Sequence, residues 1–129
     1  MTNMSFDWSS YIRLAEELIN RADSGGLQEA CFRSAISRAY YGVFCIARNS
    51  LKARRTSIPH IDTHKFVREQ YINSSDRVEK KIGVNLGRLW KDRKRSDYED
   101  TASIDIKRVM TAIDLAKRSL EQLRRIGAT

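Results

Sequence analysis

The feature that most constrains the fold is a long segment, Gln28 to about Arg54, that carries no proline and one glycine, Gly42. Proline and repeated glycine are what interrupt a helix, and this segment lacks both. Its centre reads SAISRAYYGVFCIARNSL, Ser34 to Leu51. At about 100° per residue, Phe32, Ile36, Ala39, Tyr40, Val43, Phe44, Ala47 and Leu51 fall on one broad arc. Ser34, Arg38, Tyr41, Cys45 and Arg48 fall on a narrow stripe across from it. A fully solvated back would carry Lys and Glu instead. The pattern predicts a central helix with neighbours on both sides.

The other segments supply those neighbours. Trp8, Tyr11, Ile12, Ala15, Leu18, Ile19 and Ala22 recur at three and four, which predicts a helix from Ser9 to Asp23. Asp7 or Ser9 would cap it and Ser24-Gly25-Gly26 would end it. Thr56 to Asp62 breaks at Ile58-Pro59-His60 and reads as a loop. Thr63 reads as the N-cap of a short helix to Tyr71, with Phe66, Val67 and Tyr71 inward. Asp76 and Glu79 have capping-box spacing at the start of a helix to Ser96. Its apolar stripe is Val78, Ile82, Leu86 and Leu89, with Trp90 beside it. Tyr98 to Ala102 is an acidic connection. The last helix, Ser103 to Arg125, repeats Ile106, Val109/Met110, Ile113, Ala116, Leu120 and Leu123, with Gly127 past its end. The expected fold is all-α: an up-and-down bundle of four long helices and one short one, a single domain over 1–129.

Bulk composition narrows the function classes. A chain of 129 residues, 41% hydrophobic and 31% charged, has enough apolar material for one core. No apolar run reaches the roughly 18 residues of a membrane span, and MTNMSFDWSS has no secretory pattern. The expected address is the cytoplasm, without membrane association. Cys31 and Cys45 would lie about 21 Å apart along one helix, far beyond the roughly 7 Å that a disulfide allows. No Cys/His set has metal spacing, and no P-loop, dinucleotide fingerprint or serine triad occurs, so no metal or cofactor is expected. The net charge of +8 favours an acidic partner such as RNA or a nucleotide.

Charge placement is more informative. Continuing the apolar stripe of the fourth helix by one turn lands on Arg93, then on Asp97, in WKDRKRSDYED. Arg77, Lys80, Lys81, Arg88, Lys91, Lys94 and Arg95 cover its outside. Arg93 is the one basic residue of this helix that points with the core. A guanidinium there must be paired or face a ligand. Asp97, four residues on, is the plain structural partner, and a phosphate is the functional one. Arg38 and Tyr41 form a second candidate, lining either a cleft or a dimer seam, or simply packing. His64, after Thr63, is a candidate base or a neighbour of the cap.

Together these stretches resemble the HEPN domain family of small prokaryotic helical proteins. The resemblance rests on Ser37-Arg38-Ala39-Tyr40-Tyr41, on the Thr63-His64 pair, and on Arg93-Lys94-Arg95-Ser96-Asp97-Tyr98. It covers nearly the whole chain in element order. It implies a five-helix bundle that forms a homodimer, with the two motif regions meeting at a cleft across the dimer axis. Many family members are metal-independent RNases, often toxins paired with a minimal nucleotidyltransferase antitoxin, and use an arginine followed after four to six residues by a histidine. Here Tyr98 stands where that histidine is expected, and no histidine follows Arg93. A tyrosine of ordinary pKa near 10 is a poor base at neutral pH.

The expected function is therefore binding of RNA or a nucleotide, or of a nucleotidyltransferase partner, within a toxin–antitoxin or defence setting. Arg38, Tyr41, Arg93 and Asp97 would be the binding residues. The resemblance also implies Tyr98 as an acceptor of nucleotidyl modification. The alternatives are an endoribonuclease toxin using Arg93 and Tyr98 as catalytic residues in an altered site, and a non-catalytic structural dimer.

Overall fold

The computed structural model describes residues 5–22 and 25–129. It contains five helices: α1 (Ser10–Arg21), α2 (Gln28–Ala53), α3 (Thr63–Ile72), α4 (Arg77–Tyr98) and α5 (Ile106–Arg125). No strand occurs among the described residues, and no helix is long and apolar enough to cross a membrane. Asp23 and Ser24, expected at the end of α1, lie outside the described residues. α1 has 12 residues and is only slightly longer than α3, which has 10.

α2 is the hub and packs against each of the other four helices. That explains the sequence pattern and also corrects it. Cys45, expected on the polar stripe, is buried in the core. α1 covers this side because Gly42 lets it approach: a Cβ there would lie 2.9 Å from Ile12 Cγ1 and 3.2 Å from the Trp8 carbonyl oxygen. Burial of Ile36, Val43, Leu86, Leu89, Val109 and Leu123 contributes roughly 1.5–3 kcal/mol for each large side chain removed from water. Tyr71 is fully buried, and its hydroxyl donates to the Ala47 carbonyl at 2.9 Å, so its polar atom carries no unmet demand.

The helix ends show where local signals were legible. Asp7 accepts the Ser9 amide and fixes the entry to α1, while Ser9 itself makes no side-chain cap. Asp76 accepts the Glu79 amide at 2.9 Å. The reciprocal half of the capping box is absent: Glu79 reaches Arg54 at 3.2 Å, and the Asp76 amide donates to the Ser74 hydroxyl oxygen. Thr63 does not cap α3. Its hydroxyl donates back to the Pro59 carbonyl at 2.9 Å, and Asp62, at φ 53°, occupies the capping position. Asp is among the few non-glycine residues that accept this left-handed geometry.

α5 starts at Ile106, not Ser103, because Asp105 accepts the Arg108 amide. Its buried face is Val109, Ala112, Ile113, Leu115, Ala116, Ser119, Leu120 and Leu123. Ile106 and Met110, expected inside, are exposed. Val109, in the first turn, and Ile104, just before the helix, are buried in the core instead.

Candidate functional site

α4 runs to Tyr98, two residues beyond its expected end, so Arg93, Asp97 and Tyr98 share one helical surface. The Arg93 side chain is only 14% exposed. Its guanidinium carbon lies 5.1 Å from the ring centres of both Tyr41 and Tyr98. Nη2 donates to the Tyr98 hydroxyl at 3.2 Å. Nε sits 2.9 Å from Asp97 Oδ2, but its N–H is not aimed at that oxygen, so the contact is an ion pair without a well-formed hydrogen bond. Asp97 also accepts the Ser37 hydroxyl at 3.1 Å, which ties this end of α4 to α2.

Burial works against the Arg93 charge, but Tyr41, then Tyr98 and Asp97, outweigh it and hold its pKa above the ordinary arginine value. Nη1 has no partner among the described residues and is not enclosed. A guanidinium carries five N–H donors in a fixed fork. The ion pair and the Tyr98 bond leave the Nη1 edge of that fork open to solvent, where an anion can reach it.

The end of α4 is held from below by Arg33, which the sequence reading did not single out. Its Nη1 donates to the Ser96 and Glu99 carbonyls at 2.9 and 3.0 Å, and Nη2 donates to the Ala102 carbonyl at 2.6 Å. Nε bonds Glu29 at 2.9 Å. Helix C-termini leave carbonyls unmet, and one arginine here satisfies those of α4 and of the turn after it. Glu29 and Arg33 have i,i+4 spacing, but the carbonyls are too distant in sequence for any spacing to reveal.

His64 enters the same neighbourhood from the first turn of α3. Its ring stacks on Phe44 at 4.3 Å, and its Nδ1 lies 2.6 Å from the Tyr40 hydroxyl. Tyr41, the ring beneath Arg93, has its centre 6.0 Å from that of His64. Burial lowers the His64 pKa, and the charges of Arg93, Arg68 and Arg48 lower it further. Burial pushes the Tyr40 phenol far above its ordinary value, so it stays protonated. Arg68 lies over Trp90 at 4.9 Å, and Arg48 lies 5.9 Å from both Trp8 and Phe44. Neither guanidinium has a carboxylate partner among the described residues. His64 and Arg68 are four apart, a spacing that could have linked them although Arg68 was not singled out.

The fold therefore brings Tyr41, Arg93, Asp97 and Tyr98 together and adds His64, Arg48 and Arg68. Arg38 stands apart: its guanidinium lies over Tyr11 of α1 at 5.1 Å. Open depressions elsewhere, of about 410 Å³ around Lys80, Lys81 and Val84 and about 530 Å³ around Arg88, Lys91, Lys107 and Arg108, contain none of these groups. Among the described residues no group of His, Cys, Asp and Glu is arranged to hold a metal ion. No protein-family model, curated protein or solved structure matches the chain.

Proposed function

We propose that the chain is a HEPN-type module, cytoplasmic and homodimeric, that binds RNA or a nucleotide at the Arg93 site. The observation that supports this most is the state of Arg93: nearly buried, gripped by two tyrosine rings and Asp97, yet with its Nη1 donors unspent. Arg48 and Arg68 add positive charge without local neutralisation. A phosphate suits the planar fork, and the exposed Tyr98 ring offers a face on which a base can stack.

The test is titration of a fluorescent single-stranded oligoribonucleotide and of a mononucleotide at two salt concentrations. Saturable binding that Arg93→Ala weakens about tenfold or more is expected, since one charge-assisted contact to phosphate is worth at least that. Absence of binding even at low salt rejects the proposal.

A second reading, a minimal nucleotidyltransferase as partner with Tyr98 as acceptor, draws on the 68% exposure of Tyr98. Its neighbour Arg93 would hold the incoming phosphate. Co-expression with a transferase encoded beside this chain, followed by intact mass measurement, tests it; an unmodified Tyr98 rejects it.

A further inference from the structure

We propose that His64 belongs to the Arg93 site as a fixed, neutral hydrogen-bond donor, presenting its Nε2–H to a bound phosphate that Arg93, Arg68 and Arg48 surround. This deepens the nucleotide-binding reading and rests on it.

The tautomer follows from Tyr40. That side chain is 1% exposed, and His64 Nδ1 is the hydroxyl's hydrogen-bond partner among the described residues. A phenol hydroxyl that stays protonated must place its hydrogen somewhere. If Nδ1 carried the ring proton, the Tyr40 hydrogen would be buried without an acceptor, which costs about 1–3 kcal/mol. If Tyr40 donates to Nδ1, every polar hydrogen of the pair is satisfied, and the neutral ring carries its proton on Nε2.

The ring is also held in place. Phe44 stacks against it, and Tyr40 and Tyr41 border it at ring-centre distances of 5.6 and 6.0 Å. Nε2 has no partner among the described residues and is not enclosed, so it reaches solvent. The charged and titratable groups around it are Tyr40, Tyr41 and Arg48 from α2, Arg68 from α3 and Arg93 from α4. Among the described residues the one carboxylate bound into the cluster, Asp97, is committed to Arg93 and Ser37. Arg93 over the Tyr41 ring, Arg48 beside the Phe44 ring on which His64 stacks, and Arg68 one turn along α3 place positive charge near this neutral N–H donor, an environment for an anion with several acceptor oxygens. A phosphate supplies them.

The same geometry separates binding from cleavage. Abstraction of a ribose 2′-hydroxyl proton needs a lone pair facing the ligand. In this tautomer the only lone pair of His64 is used by Tyr40, inside the protein.

The test combines two measurements on the intact chain. Nitrogen-15 NMR of the histidine rings at pH 7, with His60 assigned through His60→Gln, reads the tautomer directly. The expected result is a protonated Nε2 and an unprotonated Nδ1, with the Nε2 resonance moving when inorganic phosphate is added. A reversed tautomer, or an imidazolium at pH 7, overturns the proposal.

Titration then compares wild type with His64→Ala and His64→Gln, using a single-stranded oligoribonucleotide in one arm and a mononucleotide in the other. His64→Ala is expected to weaken binding about tenfold, as for loss of one hydrogen bond to a charged group. His64→Gln, which retains an N–H at similar reach, is expected to lose clearly less. The arm with the tighter binding shows whether the phosphate belongs to a chain or a free nucleotide. Wild type binding with His64→Ala unchanged overturns the role of His64 alone. Wild type binding neither probe rejects the nucleotide-binding reading itself and this role with it.

Discussion

Two basic regions of α4 differ in a way that their charge count hides. Along the outside, Arg77, Lys80, Lys81, Arg88 and Lys91 are exposed. Exposed charges of this kind contribute little to stability and are screened by salt over about 8–10 Å. At the C-terminal end, Arg93 is mostly enclosed, held by two rings and a carboxylate, and near His64, Arg48 and Arg68. The first region raises the net charge; the second has geometry. Affinity for an acidic partner depends on both, but selectivity can come only from the second.

The largest effect expected is on the scaffold of the second region. Arg33→Ala removes the guanidinium donors to the Ser96 carbonyl of α4 and to the Glu99 and Ala102 carbonyls after it. We expect a loss of about 3 kcal/mol, as for several charge-assisted bonds removed at once, read by urea denaturation. Lys80→Ala, on the outer face, is expected to stay within about 0.5 kcal/mol. Equal effects from the two variants would erase the distinction on the side of stability.

A smaller effect sharpens the comparison through pH. The folded pKa of His64 lies below the ordinary 6.5. Above pH 6.5 neither the folded nor the unfolded chain is protonated there, and the contribution to stability is complete. As the pH falls below 6.5 the unfolded chain takes up the proton first, so stability falls until the folded pKa is reached. Denaturation at pH 7.5 and 5.5 should show this loss in wild type and a shallower one in His64→Gln. Identical slopes would place His64 in an ordinary aqueous setting.

The smallest effect concerns the cysteines. Burial raises the Cys45 thiol pKa, whereas Cys31 is only half-buried. Iodoacetamide at pH 7.5 should label Cys31 first, with peptide mass mapping as the readout. Equal labelling would indicate that α1 opens away from α2.

Much of the bundle was legible because it depends on local periodicity. The apolar arc of α2 and the Ile82, Leu86 and Leu89 stripe of α4 follow from spacing along one helix. Arg93 and Asp97 were legible for the same reason, being four apart. Contacts between helices were not. That the stripe of α2 carrying Cys45 has a neighbour was legible, but which helix covers it, and that Gly42 admits α1 so closely, was not. His64 and Arg93 lie on different helices and come to share the Tyr41 ring only because α3 enters at Asp62 and packs beside Phe44. Arg33 is an ordinary polar residue of α2 until the end of α4 is placed over it. Ile106 and Met110 lie at the edge of the face of α5 that Val109, Ala112 and Ile113 bury, and only the packing of the neighbouring helices sets where that edge falls.

The central claim is that placement, not amount, of positive charge creates the binding site. The most direct measurement is the affinity for a single-stranded oligoribonucleotide as a function of salt, for Arg93→Ala and for a Lys80→Ala/Lys81→Ala/Lys91→Ala triple variant. The single substitution is expected to weaken binding about tenfold or more at every salt concentration. A modest loss is expected for the triple variant, mainly at low salt, as for loosely engaged exposed charges. A triple variant that binds more weakly than Arg93→Ala across the whole salt range would contradict that claim.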